Sequence, residues 1–160
     1  MATPQTIAVF HPYQNEPPSA SYATLALRAG QPVLDFDGAA DEEAVFSTVM
    51  PSHYAGGGIT AILHVVFTSA TTGTANIECS LERGSTDMDA DSFAAMTDGS
   101  ATPNGTSGIE TQVTIVLLNM DSIVAGDHFR FKVRRDADGT NGTDDITTDM
   151  ELRSIELRET

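Results

Sequence analysis

The chain has 160 residues and 40% hydrophobic content, which suits one domain with a sizeable core and excludes a disordered chain. Eight Lys and Arg against 23 Asp and Glu give a formal charge of −15, which argues against a nucleic-acid binder, because phosphate neutralisation needs cations. No apolar run is long enough to span a bilayer as a helix, and the one cysteine, Cys79, rules out an internal disulfide framework.

The opening "MATPQTIAVFHPYQNEPP" lacks the basic and then apolar regions of a signal peptide. Within it "TIAVF" is followed by the proline-rich "HPYQNEPPS", a stiff extended connector. Residues 1–18 therefore read either as a frayed terminus or as an extended N-terminal arm. The arm reading lays Ile7, Val9 and Phe10, with Pro12 and Tyr13, on a neighbouring molecule.

From residue 19 to 160, alternation and turn chemistry dominate and helical periodicity is almost absent. "YATLAL", "PVLDF" and "EAVFSTVM" read as the first three strands. "ITAILHVVFT" carries apolar residues on both faces, as "TQVTIVLL" does further on, which suits central strands or strands covered by another subunit. Ile62, His64, Val66, Val116 and Leu118 are thus candidate interface residues. "TANIECSLE" alternates cleanly, with Ala75, Ile77, Cys79 and Leu81 inward. Val113, Ile115 and Leu117 share the core with Phe129, Phe131 and Val133 of "HFRFKVRR", whose Arg130, Lys132 and Arg134 point outward. In "MELRSIELRE" the apolar parity switches between Leu152 and Ile155, predicting a bulge near Arg153. Gly-rich turns separate about eight strands, and the fold class is all-β: a single β-sandwich of jelly-roll type.

Catalytic and metal chemistry finds little support. His11, His53, His64 and His128 are scattered without ligand spacing, and none of the many carboxylates stands out as an acid/base couple. "YAGGGIT" leads into a strand and lacks the helix N-terminus that cradles phosphate. "RDADGTNGTDD" (residues 135–145) resembles a calcium loop, yet Asn141 and Thr147 occupy the places where an EF-hand beginning at Asp136 requires Gly and Glu. It reads as a long hairpin turn, with an irregular calcium site as the alternative. No cofactor, metal or catalytic residue is expected.

Six of the eight cationic residues fall within residues 130–160. If "HFRFKVRR" and "MELRSIELRE" pair as antiparallel neighbours, Arg130, Lys132 and Arg134 face Glu151, Arg153 and Glu156 in a cross-strand ladder. The alternative is a stripe that docks an acidic neighbouring surface.

Taken together, "IAVFHPYQNEPPSASYATLALRAGQPVLDFD", "AVFSTVMPSHYAGGGIT" and "AGDHFRFKVRRDAD…ELRSIELRET" resemble a family of tailed-bacteriophage and prophage virion structural proteins. The resemblance implies a non-enzymatic jelly-roll protein made in the bacterial host cytoplasm and assembled on the virion. Its expected role is capsid decoration (cement) on the capsid surface, with the major capsid protein and further copies of itself, as a homotrimer, as partners. Nucleic acid and membrane are not expected partners. The alternatives are another head or tail component, or a carbohydrate-binding module on a tail fibre or baseplate. Against the last stands the supply of aromatic platforms: no Trp, and only Tyr13, Tyr22 and Tyr54.

Overall fold

The computed structural model describes residues 4–84 and 87–160; positions 1–3 of the expected arm lie outside the described residues. Ten strands run in chain order: β1 Thr6–Phe10, β2 Thr24–Arg28, β3 Gln31–Phe36, β4 Glu42–Val49, β5 Ile59–Phe67, β6 Ala75–Arg83, β7 Thr97–Ala101, β8 Thr111–Val116, β9 His128–Arg135 and β10 Met150–Glu159. They form two antiparallel sheets packed as a β-sandwich. One is six-stranded, ordered β2-β3-β10-β5-β8 with β1 also pairing with β10; the other is four-stranded, ordered β4-β9-β6-β7. The helical content among the described residues is a single 3-10 turn at Pro12–Gln14.

All ten core residues expected from alternation are buried between the sheets. A side-chain period of two leaves no other outcome once one face is covered. Cys79 is fully enclosed, and burial pushes its thiol pKa up, away from nucleophilic chemistry. Two strands exceed the expected eight. β7, "TDGSA", has turn-like composition, but its Gly99 faces Ile77 across the ladder and lies under Ile115, whose side chain would be 2.5 Å from an added Cβ. Glycine is there for close approach, and a turn is not what it makes.

β1 is the other, and it corrects the arm. Ile7 and Phe10 are buried in this chain's own core, and the Phe10 ring stacks on Phe46 at 5.1 Å between centroids. The connector that follows seals the edge of β4. Glu16 N–H donates to Val45 O (2.7 Å), the Asn15 side chain accepts from Val45 N–H (3.0 Å), and Ala23 and Glu43 N–H groups donate to Glu43 O and Ser21 O. Prolines suit this role because they occupy the strand's flank without presenting a further N–H to pair. The sandwich therefore begins at β1, and only Val9 and Tyr13 of the five arm residues are exposed; Pro12 is buried.

The expected β9–β10 pairing is also corrected. β9 lies between β4 and β6 in the four-stranded sheet, and β10 lies in the other sheet. Consecutive strands at the end of a jelly roll cross between sheets, so sequence adjacency misleads here. The charge ladder survives with other partners. Arg130 pairs with Glu82 (2.7 Å), Lys132 with Glu43 (3.3 Å) and Arg134 with Glu78 (2.5 Å). Phe93, from the connection after β6, lies over Arg130 and Lys132 at 5.0 and 4.5 Å from the ring centroid. The stripe is thus occupied within the chain.

Candidate functional site

The bulge expected near Arg153 is present: the β10–β5 register shifts between Leu152 and Ser154. It lifts Arg153 out of the ladder onto the outer face of the six-stranded sheet. There Arg153 Nη1 donates to Glu110 Oε2 (2.5 Å) and Nη2 to Gln31 Oε1 (2.9 Å). The other oxygen of Glu110 lies 2.7 Å from His64 Nδ1. Burial raises the Glu110 pKa, but the hydrogen bond and charge of His64 and then of Arg153 prevail and hold it below the ordinary carboxylate value. Both Glu110 oxygens are committed, so this carboxylate is a fixed acceptor and not a free base.

A cleft of about 620 Å³ opens above this array, walled by the 3-10 turn on one side and by Gln31, Pro32, Glu110 and Arg153 on the other. The turn is pinned at its start, where Gln14 Oε1 accepts from His11 N–H (2.8 Å) and Pro12 is buried. The turn places Tyr13, 69% exposed, at the cleft wall. A smaller depression of about 180 Å³ continues past Gln31 and Arg153 to Arg28, Val66 and Gly108. Arg28 is ion-paired there with Glu151.

The structure divides the interface residues expected on the two-faced strands. His64 belongs to the cleft's polar array and Ile62 is half-buried beside it on β5, while Val66 is buried at 4% exposure. Val116 and Leu118 remain exposed toward the β8 edge. Gln31 and Glu110 carry no periodic signal and escape sequence reasoning; Arg153 is marked in the sequence only by the parity switch around it.

The acidic loop is held from inside the protein. Arg135, fully buried, donates from Nε and Nη2 to the Asp144 carboxylate and from its two Nη groups to the carbonyls of Ile146, Thr148 and Phe36. Asp136 Oδ2 accepts from Asn76 Nδ2 (3.0 Å) and from the N–H groups of Asn141 (2.9 Å) and Gly142 (3.2 Å). Burial raises the Asp136 pKa, yet these donors outweigh it and the net displacement is downward. Asp41, Asp136 and Asp138 bring carboxylate oxygens within 4.8 Å of one another, with Arg134 at 3.9 Å from Asp41 and 3.5 Å from Asp136. The guanidinium group of Arg134 lies against Asp41 and Asp136, and that of Arg135 against Asp144.

No protein-family model matches the chain, and no curated protein is similar to it in sequence. Solved structures do share its fold. The carbohydrate-binding module CBM36 in complex with calcium and xylotriose superposes with a TM-score of 0.52 at 15% identity, over 94% of this chain and 99% of that one. The xylan-binding module CBM15 gives 0.52 at 10% identity, covering 96% and 97%. A family 35 carbohydrate-binding module from an environmental isolate gives 0.52 at 13%, covering 94% and 92%. At these identities the likeness is one of fold, the jelly-roll sandwich.

Proposed function

We propose that the protein is a non-catalytic glycan-binding module, and that the Tyr13–Arg153 cleft is its binding surface. The observation that carries this reading is Tyr13, a residue 69% exposed on a pinned turn at the wall of a cleft floored by planar hydrogen-bonding side chains. An exposed aromatic side chain beside several hydrogen-bonding groups combines the apolar and polar contacts that a sugar-binding surface uses. A pyranose offers what this cleft matches: an apolar C–H face for the ring, and hydroxyls for Gln31, Arg153 and Ser154. The fold is also the one in which the modules named above bind xylotriose and xylan, which supports the reading at the level of fold only.

The capsid-decoration expectation, with the major capsid protein and a homotrimer as partners, loses two of its structural motives, the arm and the basic stripe. Ile7 and Phe10 are interior, and Arg130, Lys132 and Arg134 have partners within the chain. The cleft is favoured over that reading because it is built, exposed and chemically apt.

The test is affinity electrophoresis of the full chain in gels containing soluble polysaccharides, repeated with Tyr13→Ala. Retardation by at least one glycan, weakened about tenfold or more by Tyr13→Ala, is the expected result. No retardation by any polysaccharide, or retardation indifferent to Tyr13→Ala, overturns the assignment.

A further inference from the structure

Every one of the eight Lys and Arg side chains is paired with a carboxylate within 4.0 Å. Three such pairs lie on the outer face of the six-stranded sheet: Arg28–Glu151, Arg153–Glu110 and Arg158–Glu156. The other five are satisfied elsewhere in the same manner. Against them stand 23 Asp and Glu, so the surplus charge of the chain is negative. We propose that the cleft selects uncharged glycans, and that Glu110 is the residue that sets this selectivity by cancelling the charge of Arg153. The inference rests on the glycan-binding reading above and goes further by naming the class of sugar.

The physical argument is one of competition. A carboxylate or sulfate on a sugar is bound well only by a cation that is free to turn to it. Arg153 is the cation of the cleft, its side chain 41% exposed, but one amino group is 2.5 Å from Glu110 and the other 2.9 Å from Gln31. An anionic sugar arriving at Arg153 would sit beside Glu110 within a distance where like charges repel, since screening acts over about 8 Å at physiological salt. It would also approach a molecule of net charge −15. A hydroxyl meets neither obstacle. The guanidinium has five N–H groups, of which Glu110 and Gln31 occupy one each, so donors remain for neutral oxygens. The double grip of His64 and Arg153 on Glu110 fixes its carboxylate beside the guanidinium.

The test uses the full chain and two sets of soluble polymers: neutral xylan, β-glucan and mannan, and carboxylated polygalacturonate and alginate. Affinities are measured at about 20 mM and about 300 mM NaCl, where screening differs severalfold. The wild type is expected to bind at least one neutral polymer with little salt dependence and the carboxylated ones at least about tenfold more weakly. In Glu110→Gln, with its melting temperature checked against the wild type, the ratio of carboxylated to neutral affinity should rise about tenfold at low salt and fall back at high salt. Carboxylated polymers bound by the wild type as tightly as neutral ones overturn the inference. So does an unchanged ratio in a natively folded Glu110→Gln. Failure of the wild type to bind any polymer overturns the glycan reading itself, and this inference with it.

Discussion

Arg135 and Asp144 form a two-point ion pair inside the protein, with Nε 2.9 Å and Nη2 3.0 Å from the two carboxylate oxygens and both side chains shut off from solvent. The pair closes the long connection between β9 and β10, and the remaining guanidinium hydrogens hold backbone carbonyls of the same connection and of β3. Arg135→Met removes one charge and leaves the buried Asp144 carboxylate with only the N–H groups of Asn76 and Ile146 as donors among the described residues. The expected cost is about 3–5 kcal/mol in urea unfolding. A loss below about 1 kcal/mol would mean that the connection has little part in the cooperative unit.

Phe10 separates the sealed-strand arrangement from a free arm. Its ring is 2% exposed and packs against Phe46 and Phe131 of the opposite sheet. Phe10→Ala should therefore destabilise the fold by about 3–5 kcal/mol, read by thermal or chemical denaturation. An unaltered melting curve would restore the arm.

Asp35 should make stability depend on pH in an unusual direction. Its Oδ1 is enclosed with no hydrogen-bond partner among the described residues; burial, and then Asp149, Glu151, Glu42 and Asp37, push its pKa up to about 6. The unfolded value is about 3.9. Between these values the folded state binds the proton more tightly, so the contribution of Asp35 to stability falls as pH rises from about 4 to about 6. Asp35→Asn is expected to raise the melting temperature at neutral pH, with the difference vanishing toward about pH 4. Superimposable melts at neutral pH would show that the half-buried carboxylate has found a donor.

Gly38 illustrates a steric requirement that charge and hydropathy do not express. An added Cβ would lie 2.6 Å from the Thr147 carbonyl carbon and oxygen and 2.7 Å from Thr148 C, all backbone atoms with nowhere to move. Gly38→Ala should cost about 1–3 kcal/mol. Gly58→Ala, which meets only the Thr160 side chain at 3.5 Å, should stay within about 0.5 kcal/mol. Equal stabilities for the two variants, by chemical denaturation, would contradict the close approach.

What the sequence determined by itself was the local geometry. Alternation in "TANIECSLE" and "HFRFKVRR" fixed which side chains enter the core, because a strand offers two faces and only one is apolar. The parity switch between Leu152 and Ile155 likewise located the bulge, since no unbroken strand brings both residues inward. What the tertiary structure decided was partnership. β9 and β10 follow each other in sequence but lie in opposite sheets, so the partners of Arg130, Lys132 and Arg134 come from β4 and β6. Whether "TIAVF" grips a neighbour or fills its own core depends on the free edge of β10, which no local pattern reveals. The cleft shows the same limit. Tyr13, Gln31, Glu110, Arg153 and His64 lie on separate segments, and outward-facing side chains have no periodicity to betray them. Only the strand order of the six-stranded sheet brings Gln31, Glu110, Arg153 and His64 within hydrogen-bonding distance and sets Tyr13 at the wall beside them.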